Sequence, residues 1–450
     1  MAMKKAETKK TPLIYVTRDI ERALGCEPAG RYFIVANRTP YSESIRGKYP
    51  DNVFLIDAKT DSGDILDTFD LLKAGEKIIQ KIGGDILVFK NTTRIEELCA
   101  EKKWNLLNPQ AALAEEIENK ITQVKWLGAG KTGAGKTNAE QYLPPHAVKK
   151  VSDIQLKGEK IGGVSAPFMI QWGHGHTGEG TIFIADNKTG EKTLTALREK
   201  FPKRDARVTS YINGPIFTAN ICVKDDILVG NISSQITGML PFTDNPWTTV
   251  GNDWSLPHGI LSEEKIAQFH EIARAVGERM RESGWVGLFG IDCIYDVERD
   301  NLHLIEVNAR QPASTTYESQ LQEKIRAFAP DHFKNSMTIF EAHLATLQNQ
   351  KNTAKKFAEG LIEINDGAQI IMRIPALKEI KKTGEEINEI SASLRAKKYT
   401  VIEYANTKPG DDLIRIQSDR GILESVIKFN ARGKEILEIV TGVAAEYDTI

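Results

Sequence analysis

Four residues in two short segments carry the groups best suited to chemistry. Asp292 lies in the apolar run Gly290-Ile291-Asp292-Cys293-Ile294-Tyr295. Glu306, Asn308 and Arg310 occupy every second position of Leu304-Ile305-Glu306-Val307-Asn308-Ala309-Arg310. Both segments read as strands, and side chains two apart on a strand share a face. If the two strands pair as a hairpin, Asp292 joins that face. Two carboxylates, an amide oxygen and a cation then converge. Such a set suits Mg²⁺, a hard ion that takes oxygen ligands and keeps substrate phosphates in its shell. The arginine can balance charge on a transferring phosphoryl group or an oxyanion. The plain alternative is a solvated strand face with a surface ion pair. The apolar flanks argue against it, because they bury the backbone beside the charges.

Two glycine-rich strings come next. Gly173-His174-Gly175-His176-Thr177-Gly178-Glu179-Gly180 sits between two apolar runs that read as strands. A loop of this kind can fold over phosphates and donate backbone N–H groups. It can also be a plain hairpin tip. His174 and His176 raise a metal site, although two histidines at i, i+2 with no third ligand nearby are weak metal evidence. Gly130-Lys131-Thr132-Gly133-Ala134-Gly135-Lys136-Thr137 fits the phosphate-loop pattern GxxxxGK[ST]. A working loop of that type needs a strand before it and a helix N-terminus after it. Here helix-like residues precede it and Pro144-Pro145 soon follow, so a flexible glycine loop is the expected form. Its lysines can still approach a nucleotide.

The elements that must position these groups follow from pattern. Residues 31–36, 53–57 and 85–89 read as strands, with a turn at 37–40, a helix over 67–82 and a short helix over 95–101. Strands alternating with helices imply a parallel sheet. A helix runs over 111–126. Strands are expected at 168–172, 181–185, 207–212, 219–223 and 227–233. Residues 262–283 form the clearest helix, with Ile266, Phe269, Ile272, Ala273, Val276 and Met280 on one face. The strand pair 287–295 and 302–307 carries the carboxylates. Residues 349–360 form a polar surface connection. Beyond it, 368–374, 399–404 and 413–417 are strand-like and 421–432 helix-like.

Composition bounds the answer. At about 150 residues per domain, 450 residues suggest three domains. Hydrophobic residues at 41% and charged residues at 27% exclude a wholly disordered or fibrous chain. The net charge of −2 provides no global field for nucleic acid or an anionic membrane. Lys4, Lys5, Lys9 and Lys10 read as a solvated start. Cys26, Cys99, Cys222 and Cys293 lack metal spacing and read as reduced thiols. No apolar stretch reaches membrane-helix length, and residues 1–20 have no apolar signal region. A cytoplasmic protein, possible as a homodimer, is expected.

Taken in order, these pieces resemble the ATP-grasp superfamily, particularly its carboxylate–amine ligase and biotin-carboxylase-like members. The resemblance is good over residues 30–320 and looser over 361–450. It implies a fold class of α/β and α+β: a Rossmann-like pre-ATP-grasp domain at 12–110, an ATP-grasp domain at 111–350 with a lid at about 145–210, and a C-terminal α+β unit at 361–450. It implies that Lys120, in Asn119-Lys120, contacts nucleotide phosphate and is catalytic. It implies that Gln171, Gly173, His174, Gly175, His176, Thr177 and Gly178 cover the phosphates, and that Ser210, Tyr211 and Ile212 belong to the hinge that binds adenine. Asp292, Glu306 and Asn308 match the magnesium ligands, with Glu306 bridging two ions. Arg310 matches the arginine that stabilises the intermediate. The implied activity is joining a small carboxylate to an amine with Mg²⁺ and ATP, through an acyl phosphate.

Three departures stand out. Gln171 occupies the position of a second phosphate lysine, a loss that His174, Lys131 or Lys136 can offset. Thr209-Ser210 replaces a hinge glutamate. Gln311-Pro312-Ala313-Ser314 follows the arginine, with no carboxylate until Glu318, which argues against a biotin carboxylase. Ser314, Thr315 and Thr316 either contact the carboxylate substrate or simply start a helix. Two other readings remain: a P-loop NTPase around Lys136 and Thr137, and a non-catalytic ATP-binding module, suggested by Gln171.

Overall fold

The computed structural model describes residues 11–60, 64–130, 138–154, 156, 166–174, 180–348, 360–374, 384–406, 408 and 410–442. The expectations on Lys4, Lys5, Lys9 and Lys10, on residues 131–137 and 175–179, and on most of the connection at 349–360 lie outside the described residues.

The first sheet is parallel. Its strands β1 (Leu13–Thr17), β2 (Tyr32–Asn37), β3 (Val53–Ile56) and β4 (Asp85–Val88) run in the order β3-β2-β1-β4. Helices α1 (Pro40–Lys48), α2 (Thr68–Ala74), α3 (Glu76–Ile82) and α4 (Thr93–Lys102) accompany it. β1 lies at the centre of the sheet and is absent from the sequence expectations. A five-residue apolar run has no period that separates strand from loop, and only pairing with β2 and β4 fixes it. The turn expected at 37–40 leads directly into α1. Thr39 caps that helix in a capping box with Ser42, and Pro40 takes its first turn. The single helix expected over 67–82 is two helices, broken at Gly75, which ends α2 and opens α3.

Helices α5 (Ala111–Glu118) and α6 (Lys120–Gly128) lead to a second, antiparallel sheet. Its strands β5 (His146–Lys150), β6 (Phe168–Gln171), β7 (Thr181–Ile184) and β8 (Asp205–Ser210) run in the order β5-β8-β6-β7, and α7 (Asn187–Lys200) connects β7 to β8. The largest sheet contains β9 (Ile216–Val223), β10 (Ile227–Val229), β11 (Ser233–Thr237), β12 (Thr249–Asp253), β13 (Gly287–Asp296), β14 (Asn301–Asn308), β15 (Ala368–Arg373), β16 (Thr400–Glu403) and β17 (Asp412–Ser418). Its order is β14-β13-β9-β11-β12-β15-β17-β16, with β10 paired to β9. The strand expected over 227–233 is thus split, its end opening β11. The strands beyond residue 361 extend this same sheet through the β12–β15 pairing.

The remaining helices are α8 (Pro257–Ile260), α9 (Glu263–Glu282), α10 (Thr315–Phe328), α11 (Ile339–Leu347), α12 (Gly384–Ala396) and α13 (Ala431–Thr441). Ser262 caps α9, and Phe269, Ile272, Ala273, Val276 and Met280 are fully buried against β9, β13 and β14. Burying each of the larger side chains contributes about 1.5–3 kcal/mol relative to leaving it exposed. That packing makes the hairpin carrying the carboxylates a rigid floor. The helix expected over 421–432 is instead a hairpin of β18 (Leu423–Ser425) and β19 (Lys428–Phe429), followed by α13. The buried carboxylate of Asp253 accepts from the backbone N–H groups of Ile422 (2.6 Å) and Leu423 (3.0 Å) and so orders the extended chain there.

Helix α11 carries a pH-sensitive contact. His343 is buried, and its Nδ1 accepts from the Leu288 N–H (3.2 Å). Burial pushes its imidazolium pKa down to about 3. An unfolded imidazole near 6.5 binds protons that the folded one rejects. His343 therefore contributes its full stabilisation above pH 6.5 and loses about 1.4 kcal/mol per pH unit as pH falls toward 3. Urea unfolding of the unmodified protein and His343→Gln between pH 7 and 5 checks this. The substitution should remove that slope, and equal slopes would refute it.

Candidate active site

Asn119 decides where Lys120 points. The helix expected over 111–126 stops at Glu118 and restarts at Lys120, because Asn119 takes extended angles and caps α6. Its Oδ1 accepts from Ile121 N–H (2.9 Å) and Thr122 N–H (3.4 Å). The Lys120 N–H donates to the Gly173 carbonyl (2.8 Å), which ties α6 to the start of the glycine loop. The buried Lys120 side chain reaches across to β14, and its Nζ donates to Glu306 Oε1 (2.8 Å).

The hairpin forms as the alternation implies. Asp292 stands opposite Glu306, with a register irregularity between Asp292 and Cys293. Asn308 Nδ2 donates to Asp292 Oδ2 (3.3 Å). Burial pushes the Asp292 carboxyl up, the Glu306 charge adds to that, and hydrogen bonds from Thr218, Gln235 and Asn308 oppose it. Burial also raises Glu306, but Lys120, Arg310 and Arg207 outweigh it and hold the carboxylate below its ordinary value. Glu306 is thus held as an anion, while its neighbour takes up a proton more readily. Paired carboxylates behave this way when short of positive charge.

Arg310 follows the end of β14 and lies close enough to Glu306 to lower its pKa. Its guanidinium hydrogen-bonds Glu118 at the end of α5. Glu118 also receives Lys90 Nζ (2.6 Å). Burial raises the Glu118 carboxyl, and the two cations lower it by more. Neither Lys90 nor Glu118 has a local sequence signal, since each lies in an ordinary helix end or loop.

Between the second sheet and the large sheet lies a cavity of about 340 Å³. Thr209, Ser210, Tyr211 and Ile212 form one wall, and Ile294 and Ile305 belong to the floor. The Gly214 turn into β9 passes so close to the Tyr295 carbonyl that no Cβ fits there. Phe183, Tyr211 and Trp247 cluster beside the cavity, with ring centroids 4.7, 5.7 and 6.2 Å apart. Ile427, at the tip of the β18–β19 hairpin, is 61% exposed and also lines it. Gln235 lines the same space; Thr249 Oγ1 holds its Oε1 (2.9 Å), and it donates to Asp292. An apolar pocket with a few convergent polar groups is the usual form of a small-molecule site. Among the described residues, no group of three or more His, Cys, Asp or Glu is placed to hold a metal; the set here is two carboxylates and an amide.

No family model matches the sequence, and no curated protein matches it. Solved structures do match in shape. N5-carboxyaminoimidazole synthetase from Staphylococcus aureus, complexed with ADP, superposes at TM-score 0.58 and 12% identity over 98% of this chain and 99% of that one. Carboxyaminoimidazole ribonucleotide synthase from Aspergillus clavatus, complexed with ATP, gives 0.59 and 14% over 96% and 99%. Biotin carboxylase from Campylobacter jejuni, as a β-γ-ATP complex, gives 0.57 and 12% over 91% and 88%.

The chain has the ATP-grasp fold.

Within the ATP-grasp fold, the structure gathers Lys120, Asp292, Glu306 and Asn308, with Arg310 beside them. Gln171 and the residues expected at a hinge, Ser210, Tyr211 and Ile212, line the adjacent cavity. Gly173 touches the α6 start, while His174 turns to Asn119 Nδ2 (3.0 Å) and Glu115 Oε1 (3.0 Å). Gly175, His176, Thr177 and Gly178 lie outside the described residues. Ser314 and Thr315 are buried at the start of α10 and donate to Asn220 Oδ1 (3.2 and 3.0 Å). Both stand at a helix start, with the buried Thr316 next to them. Glu318 is fully buried, accepting from Asn231 N–H (2.7 Å) and Asn220 Nδ2 (2.5 Å). No helix among the described residues is long and apolar enough to cross a membrane.

Proposed function

We propose that this chain is a Mg-ATP-dependent ligase that activates a carboxylate as an acyl phosphate and joins it to an amine, releasing ADP and phosphate. The observation that carries this is the Lys120–Glu306–Asp292–Asn308 cluster on the hairpin floor, beside a cavity walled by the 209–212 hinge. The neighbours complexed with ADP and ATP support a nucleotide in that cavity, its adenine against the hinge. A 5-aminoimidazole ribonucleotide complex of the Aspergillus clavatus enzyme supports a small-molecule second substrate. The proposed division is a pre-ATP-grasp domain at 12–110, an ATP-grasp domain at 111–350 with its lid at about 145–210, and a C-terminal unit at 361–450.

Asp292, Glu306 and Asn308 offer oxygen donors that fit Mg²⁺, and the upward push on Asp292 marks a carboxylate pair able to take more positive charge. When bound, the ion supplies neutralisation of phosphate charge. Lys120 contacts phosphate from the α6 N-terminus. The substrate carboxylate attacks the γ-phosphoryl group, and ADP leaves. The amine then displaces phosphate from the acyl phosphate and loses a proton. Arg310, oriented by Glu118, stabilises the oxyanion formed at the carbonyl. Catalysis is then mostly positioning and electrostatics.

ADP release, screened over amino acids and small carboxylates paired with amines, tests the reading. One pair should raise ADP release well above the ATP-only rate; nucleotide binding with no such pair would favour a non-catalytic module. The P-loop alternative has a separate test. The residues before Gly130 form α6 and not a strand, so Lys136→Ala should leave ADP release within about threefold. Abolished release would restore the P-loop reading.

A further inference from the structure

Arg207 is a buried cation that no carboxylate among the described residues bonds directly. It lies on β8, is 3% exposed, and lines the cavity. Its hydrogen bonds go to neutral oxygens. Nε (2.9 Å) and one terminal nitrogen (2.6 Å) donate to Gln171 Oε1. The same terminal nitrogen donates to the Ile305 carbonyl (3.1 Å), and the other reaches Gln123 Oε1 at 3.5 Å. Among the described residues, no carboxylate lies within ion-pair distance of Arg207; the charge it interacts with, on Glu306, is bonded by Lys120 instead. Taking a charge out of water costs several kcal/mol unless an opposite charge meets it. A guanidinium kept charged at the wall of a cavity is therefore poised for an anionic ligand.

The geometry fixes where that ligand sits. Gln171 and Arg207 face each other across the β6–β8 pair. Ile305 immediately precedes Glu306. The guanidinium is thus held between the lid sheet and β14, next to the carboxylate cluster. Its planar fork matches phosphate oxygens in a way a lysine does not.

We propose that Arg207 is the principal phosphate-binding cation of the lid side of this cavity, held in orientation by Gln171, and that it takes the polyphosphate of the bound nucleotide. The inference rests on the nucleotide reading above. It also gives Gln171 a reason: a neutral acceptor aims the guanidinium, where a lysine at 171 would repel it.

Isothermal titration with ADP, ATP and adenosine, each with Mg²⁺, tests this on the full chain. Arg207→Met should weaken ADP and ATP binding about 10- to 100-fold and leave adenosine within about twofold. The double variant Arg207→Met/Gln171→Lys returns a cation to the neighbouring strand and should recover most of the preference for ADP over adenosine. If Arg207 only ties the lid to β14, ADP and adenosine fall together or not at all, and the proposal fails while the nucleotide reading stands. If the unmodified protein binds neither nucleotide, both readings fail. Should Arg207→Met not fold, the double variant decides alone: folded but without the ADP preference, it overturns the proposal.

Discussion

Glu306→Gln lowers ADP release by at least about 100-fold and leaves the urea unfolding midpoint close to that of the unmodified protein. The magnitude follows from losing one preorganised charge at the reacting phosphates, which typically costs 10²–10³ in turnover. Glutamine keeps the size of glutamate and retains an oxygen for Lys120 Nζ, now 2.8 Å from Glu306 Oε1. The fold therefore has little reason to change. Removing the negative charge also relieves Asp292, which the Glu306 charge now pushes up. The pH profile of ADP binding should lose the contribution of this carboxylate pair. Unfolding by circular dichroism and ADP release by a coupled assay measure the two effects separately. Unchanged ADP release would remove Glu306 from the machinery.

Arg415→Met costs about 3–5 kcal/mol of stability, the range for breaking a buried charged network by removing one partner. Arg415 is 1% exposed. Its Nε donates to Tyr404 Oη (2.8 Å), and a terminal nitrogen donates to Gln369 Oε1 (3.1 Å) and the Ala313 carbonyl (3.3 Å). Tyr404 in turn donates to Glu21 Oε1 (2.7 Å) in the short 3-10 helix Ile20–Ala23 after β1. One side chain thus ties the C-terminal strands, the loop after Arg310 and the first sheet together. Removing it leaves Glu21 and Gln369 with buried acceptors less well served. A loss under about 1 kcal/mol in urea unfolding would show that these contacts are dispensable.

The clearest sequence signals were local ones. Alternation put Glu306 and Asn308 on one face, and a charged Asp292 inside an apolar strand marked the partner. The α9 stripe foretold a buried helix because 3.6-residue spacing is written in the chain itself. Signals failed where local pattern and packing compete. Gly75 and Asn119 break helices that periodicity alone would continue, and Asn119 does so by capping α6 with its own side chain. The hairpin β18–β19 read as a helix because its apolar residues lack a clean period. β1 has no local signature, because its identity comes from its neighbours β2 and β4.

Residue type and short spacing were enough to mark the groups proposed for the chemistry: the carboxylates, Asn308, Lys120, Arg310 and the 210–212 string. Those properties reside in residue type and in spacing over a few positions. What each charge faces is set by packing between distant parts of the chain. Lys120 meets Glu306 across 186 positions, and Arg310 is held by Glu118 across 192. Arg207 is one charged residue among many in the sequence, and becomes distinctive only when burial removes water from it and leaves it neutral partners. Desolvation and long-range pairing depend on distances through space, which strand and helix periodicities do not encode.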